Sequence, residues 1–182
     1  MFIPALICVV ALLGILLLAI ALRPAGFRVS RSETIAAAPA VVFSHVNNLH
    51  QWQAWSPWEK LDPQLKRTFE GPSAGIGAVY RWDGNGNVGA GSNTIIDSRP
   101  NELIRFKLDM LRPFVGTNDV EFQFVANGPS ETIVTWTMVG SLNFMTKAMD
   151  MLIGMDKMVG GQFQAGLGQL KVVAESNAGV ES

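Results

Sequence analysis

The chain has 182 residues, 16% of them charged, a formal net charge of −1 and a positive mean hydropathy. That length suits one membrane element and one domain of ordinary size, and without a basic run nothing favours nucleic acid as a partner. Cys8 is the single cysteine, so no intrachain disulfide forms, and with His45 and His50 as the only histidines no metal-ligand set appears.

Phe2 to Leu22 carries no charge. At about 1.5 Å per residue it spans roughly 30 Å, the thickness of a hydrocarbon core, and reads as a single transmembrane helix. A cleaved signal peptide is the competing reading, with Ala19-Ile20-Ala21 as a small-residue cleavage site. Against it, no Lys or Arg precedes the apolar run, and the run is longer than a usual signal core. Arg23, Arg28 and Arg31 follow the helix, so the positive-inside rule points to a cytoplasmic domain, with a periplasmic or extracellular side as the alternative.

Residues 1–26 are thus expected to be anchor and linker, 27–176 a single domain and 177–182 a loose tail. Phe27 to Ala37 alternates as a first strand. Pro39 starts a helix with Val42, Phe43, Val46 and Leu49 on its apolar face, and a second short helix runs from Leu49 to Ala54. Trp52, Trp55 and Trp58 then fall within seven residues, and Pro57 stops any helix there. Six strands follow, over residues 65–70, 78–83, 87–98, 102–109, 118–126 and 132–140, punctuated by Gly- and Asn-rich turns. The last long apolar segment, Met145 to Ala174, places Met149, Leu152, Val159, Phe163, Leu167 and Leu170 at helical spacing, with a possible break at Gly154. The order predicts an α+β fold, a curved antiparallel sheet of about seven strands closed over one long C-terminal helix.

The run Gly84-Asn85-Gly86-Asn87-Val88-Gly89 has the spacing of a dinucleotide loop, but the mechanism needs a helix to begin there. Ser92-Asn93-Thr94-Ile95-Ile96 follows instead, so the run is a hairpin. Strand parity puts Tyr80 with Trp82, Val120 with Phe122 and Phe124, and Val134 with Trp136 and Met138, each set facing the concave side. The tryptophans either form a core corner or line a cavity mouth. Gly160, Gly161, Gly166 and Gly168, with six of the eight methionines between Met138 and Met158, either permit close packing or leave soft-walled space. Asp156 either caps the second half of a broken helix or faces the cavity as its polar group.

Several of these residues carry a family resemblance: Trp52-Gln53-Ala54-Trp55-Ser56-Pro57-Trp58, Leu61-Asp62-Pro63, Gly71, Gly75-Ile76-Gly77, Tyr80-Arg81-Trp82, Gly89, Gly91 and Met155-Asp156-Lys157-Met158. Over about residues 27–175 the chain resembles the SRPBCC superfamily of START and birch-pollen-allergen-like proteins, in particular the polyketide cyclase/dehydrase and lipid-transport group. The resemblance implies a helix-grip fold with an apolar cavity between sheet and C-terminal helix.

The expected role is membrane-tethered binding or carriage of an apolar small molecule, a lipid, isoprenoid or polyketide-like compound. The expected lining is Trp52, Trp55, Trp58, Tyr80, Trp82, Phe122, Trp136, Met138, Met149, Val159 and Phe163. A cyclase or dehydratase is the alternative; it needs an acid/base pair, for which Asp156, Tyr80 or an inward-turned histidine could serve. A non-catalytic interaction protein at the membrane is the third reading. No cofactor or metal is called for, and the sequence leaves a protein partner open.

Overall fold

The computed structural model describes residues 2–178 of the chain. Helix α1 spans Phe2–Leu22. From Ile3 onward its apolar side chains stand exposed except for Ile20, which is buried against the domain. A helix of that length with leucine and isoleucine on every side is matched to hydrocarbon rather than water.

The domain is built on seven strands: β1 Gly26–Ile35, β2 Lys66–Glu70, β3 Val79–Asp83, β4 Ala90–Arg99, β5 Leu103–Arg112, β6 Gly116–Ala126 and β7 Thr132–Ser141. Every neighbouring pair is antiparallel, in the order β1-β7-β6-β5-β4-β3-β2. The first strand therefore closes onto the last. Register shifts in β4, at Ala90/Gly91 and Ile95/Asp97, bend the sheet. The 84–89 run is a hairpin, with the Gly84 N–H donating to Gly89 O at 2.8 Å. Asp62 is buried beside it, and its Oδ2 accepts from the Asn85 N–H at 2.7 Å.

Between β1 and β2 lie α2 (Pro39–Asn47), a 3₁₀ turn at Leu49–Gln51, the one-turn helix α3 (Trp52–Trp55) and a 3₁₀ turn at Pro57–Lys60. Pro39 and Pro57 each open their element, where a missing N–H costs nothing.

The closing apolar segment is two helices, α4 (Phe144–Leu152) and α5 (Met155–Ala178). Asn143 Oδ1 caps α4 by accepting the Thr146 N–H at 2.9 Å. Gly154 divides the helices at φ +84°, a left-handed conformation that glycine adopts without strain. Asp150 Oδ1 accepts the Met155 N–H at 2.7 Å, so Asp150, not Asp156, satisfies the start of α5. The single apolar stripe expected from Met145 to Ala174 is corrected accordingly. Phe163, Leu167, Leu170 and Ala174 are buried against the sheet, whereas Met145 and Leu152 face outward, 59% and 84% exposed. The expected loose tail is corrected at Asn177 and Ala178, which extend α5; residues 179–182 lie outside the described residues.

The core lies between the concave face and α5, with α2 and α3 closing one end. Trp55, Phe106, Phe122 and Phe163 are its largest fully buried side chains.

Candidate ligand cavity

Cross-strand register lays inward-facing residues in rows across the sheet. One row runs Tyr80, Asn93, Leu108, Asn118, each directly opposite the next. The adjacent row runs Trp82, Gly91, Met110, Gly116. Gly91 matters by what it lacks: a Cβ there would come within 2.7 Å of the Trp82 ring, so the indole packs against the glycine backbone.

Above these rows α5 does not reach the sheet, and a cavity of about 530 Å³ opens there. Met138, Trp136, Val159, Phe163, Met155, Met158 and Met149 form its roof and far wall. Trp58, Leu61 and Leu65 close a side, and Val88, Phe114, Val115 and Leu142 surround the mouth. That volume is within the usual range for small-molecule sites, and most of the lining is apolar.

Aromatic rings frame the inner end. Trp136 stacks on Phe163 with ring centres 4.1 Å apart, and Trp58 meets both edge-on at 5.6 and 6.3 Å. Trp52 and Trp55 are anchored instead by their indole N–H groups, which donate to Val46 O at 2.9 Å and His45 O at 3.1 Å. The tryptophan cluster is therefore divided. Trp55 is wholly core, Trp52 is core with one face on the cavity, and Trp58 is lining.

Of the expected lining, Trp52, Trp58, Tyr80, Trp82, Trp136, Met138, Met149, Val159 and Phe163 are brought together around the cavity. Trp55 and Phe122 are not; both are completely buried one layer behind it, with ring centres 6.0 Å apart. Asp156 lies on the outer surface, where Arg31 donates to both its oxygens at 2.9 and 2.8 Å. That pairing holds the Asp156 carboxyl below the usual carboxylate range, and it takes no part in the cavity. His45 is buried outside the lining, and burial lowers its pKa; His50 stacks on Phe69 with ring centres 3.9 Å apart.

The polar content of the cavity is small and unevenly held. Glu59 is the carboxylate in the wall, its side chain 6% exposed. Its Oε1 accepts from the Tyr80 hydroxyl at 2.7 Å and its Oε2 from Arg67 Nε at 2.7 Å. Burial, then the hydrogen bond to Glu59, push the Tyr80 phenol well above its ordinary range. By contrast, the half-buried carboxamides of Asn93 and Asn118 face the cavity, and neither side chain hydrogen-bonds to another described residue. Glu59, Asn93 and Asn118 are absent from the expected lining. Asn118 was open to detection, since it shares the parity of Val120 and Phe122. The adjacent Ile95 and Ile96 leave the facing of Asn93 ambiguous in sequence, and nothing in the local sequence marks Glu59.

A curved antiparallel sheet gripping a C-terminal helix, with a cavity between them, defines a helix-grip protein. The sequence model for "polyketide cyclase / dehydrase and lipid transport" matches residues 26–175, and the chain belongs to that family. Solved structures agree on the fold. The Zhui aromatase/cyclase from Streptomyces sp. R1128 is 18% identical, with 82% of this chain and 94% of that one covered at a TM-score of 0.61. A START superfamily protein from Mycobacterium smegmatis is 16% identical over 82% and 97% of the two chains, TM-score 0.59. Norcoclaurine synthase from Thalictrum flavum, solved with dopamine and hydroxybenzaldehyde, is 11% identical over 82% and 87%, TM-score 0.63. No curated protein matches the sequence.

Proposed function

We propose that the protein is a membrane-tethered receptor or carrier for an apolar small molecule held in the cavity between sheet and α5. The observation that carries this is a cavity of about 530 Å³ with apolar walls and half-buried carboxamides, Asn93 and Asn118 on the sheet and Gln162 on α5, that find no partner among the described residues. Burial of apolar ligand surface contributes roughly 25 cal/mol per Å². Asn93 and Asn118 lie two strands apart, about 10 Å, so they orient a molecule with polar atoms on an otherwise hydrophobic body. A fused-ring polyketide-like compound or an oxygenated isoprenoid has that character. The family's name, which joins polyketide cyclases with lipid transport, supports a ligand of polyketide or lipid character, and the likeness to an aromatase/cyclase supports the polyketide side.

The cyclase or dehydratase alternative needs a group that exchanges a proton near neutral pH. Tyr80 is held in its neutral form, and its partner Glu59 is bound by Arg67. That cluster reads as a fixed wall, which favours binding over turnover.

Native mass spectrometry of the full chain extracted in mild detergent tests the proposal. The expected result is a copurified small molecule on the parent protein. It should be lost in Leu108→Trp, which fills the middle of the cavity floor, while the melting temperature holds. A parent protein that carries no adduct and takes up no apolar fluorescent probe would sink the proposal.

A further inference from the structure

The cavity opens at the same end of the sheet at which α1 joins it. Gly26, at the start of β1, lies opposite Ser141 at the end of β7, and Asn118 near the start of β6 lies opposite Gly140. β5 ends at Arg112 on this side, and the cavity is lined there by Asn87 and Val115 from two loops and Thr146 from the first turn of α4.

α1 is fixed to this end rather than merely linked to it. Arg23 donates to Asp150 Oδ2 at 3.1 Å, and Lys147 Nζ donates to Ala21 O at 3.2 Å. Both partners lie on α4, so α4 is held against the last turn of α1, the turn at which a spanning helix leaves hydrocarbon. α4 turns Met149 toward the cavity and leaves Phe144, Met145 and Leu152 exposed. Ile153 continues that surface, and Leu111 and Val115 stand exposed on the facing turn, 60% and 74%. Outside α1, seven of the fourteen exposed large hydrophobic residues among the described residues fall on these two segments, a concentration that marks an interaction surface rather than ordinary scatter.

We propose that α4 and the β5–β6 turn are seated in the interfacial layer of the bilayer that α1 spans, so that the cavity mouth opens onto lipid. The occupant of this surface is the membrane itself, because the patch is continuous with α1. An amphipathic helix at an interface buries its apolar face about 5–10 Å into the headgroup boundary, which matches a helix pinned beside the exit of a transmembrane segment. Arg23 and Lys147 then lie at headgroup level, where long cationic side chains are well solvated. The inference rests on α1 being a membrane span.

The test uses the full chain reconstituted into phosphatidylcholine vesicles. A nitrobenzoxadiazole label goes first on Cys8, the only cysteine. In a Cys8→Ser background it then goes on Met145→Cys, Leu152→Cys and Val115→Cys. The controls are Val172→Cys on α5 and Ile96→Cys on β4, both natively exposed. Vesicles carry lipid with a nitroxide either shallow or deep in the acyl chain. We expect deep quenching at 8, shallow quenching at 115, 145 and 152, and several-fold less quenching at 172 and 96. If 145 and 152 behave like 172 while 8 is quenched, the rim is in water and the proposal falls with the anchor reading intact. If 8 is unquenched, the anchor reading fails and takes the proposal with it. Labels at 145 and 152 that are shielded from water yet unquenched place protein, not lipid, over the rim and overturn the proposal as well.

Discussion

Tyr80 shows how one residue sets the character of the cavity wall. Its phenol is buried and donates to Glu59, and both effects favour the protonated form. A group whose pKa is raised on folding contributes full stability below its unfolded value and loses that contribution as pH rises through the folded value. The unfolded value is about 10, so the effect is confined to strongly alkaline solution and leaves neutral pH untouched. Tyr80 is the only tyrosine, and the tyrosinate absorbance therefore reports on it alone. In an alkaline titration the signal should stay absent through about pH 10 and rise only with global unfolding. A reversible rise near the ordinary phenol value, with the fold intact, would show that the Tyr80–Glu59 contact does not persist in solution. Legibility at this scale followed side-chain type. Apolar residues reveal their facing by alternation, and Tyr80, Trp82, Trp136 and Met138 lie on the concave side. A polar residue turned inward obeys the same parity, yet its composition argues for solvent, and so Asn118 escaped notice despite its register.

At the scale of elements, α5 answers the question posed by its glycines. A Cβ on Gly166 would lie 2.9 Å from both Pro57 Cδ and Trp136 Cζ3, and neither can yield. Pro57 is a ring, and Trp136 is clamped by its stack on Phe163. A Cβ on Gly160 would run into the Arg31 guanidinium that reaches Asp156. Gly161 and Gly168 meet nothing within 4 Å. The glycines thus serve contact and surface, and of the two readings, close packing or ligand space, the geometry favours the first at Gly166 and neither at Gly161. The open volume comes instead from where α5 begins and from the methionines around its first turns. Gly166→Ala is expected to cost roughly 1–3 kcal/mol through overpacking. Gly161→Ala should gain up to about 1 kcal/mol from helix propensity alone. Urea denaturation of the two variants should give shifts of opposite sign, and a stabilised Gly166→Ala protein would contradict the packing described. The break before α5 was readable at Gly154, because only backbone chemistry was needed. That α4 would turn its apolar face outward was not readable, since periodicity gives a stripe without saying what covers it.

Taken whole, the molecule separates its core from its anchor along the chain. Apart from Ile20, every buried hydrophobic residue among the described residues lies at Val29 or beyond, so residues 3–23 contribute little to the interior. A chain beginning at Pro24 is expected to keep a folded, strand-rich domain by circular dichroism. It should need mild detergent or lipid to stay monomeric, because α4 loses the last turn of α1. Aggregation even in detergent would show that anchor and domain cannot be parted. The strand order was legible because each strand announces itself locally and hairpin turns join successive strands from β2 through β7. The pairing of β1 with β7 was not legible, because no local signal links segments so far apart.

That last pairing has a consequence for how the protein is made. The first strand synthesised is completed by the last, with roughly a hundred residues between them. At about 5–20 residues per second, β1 waits on the order of 5–20 seconds for its partner, and α5 arrives later still. If α1 engages the membrane as soon as it emerges, β1 spends that interval tethered at the bilayer with a row of amides unpaired. An open strand edge is a template for pairing with another chain, and tethering gathers such chains onto a surface. The hazard lasts until β7 has left the ribosome, so emergence of that strand, rather than insertion of α1, sets the moment at which this domain becomes safe from its neighbours.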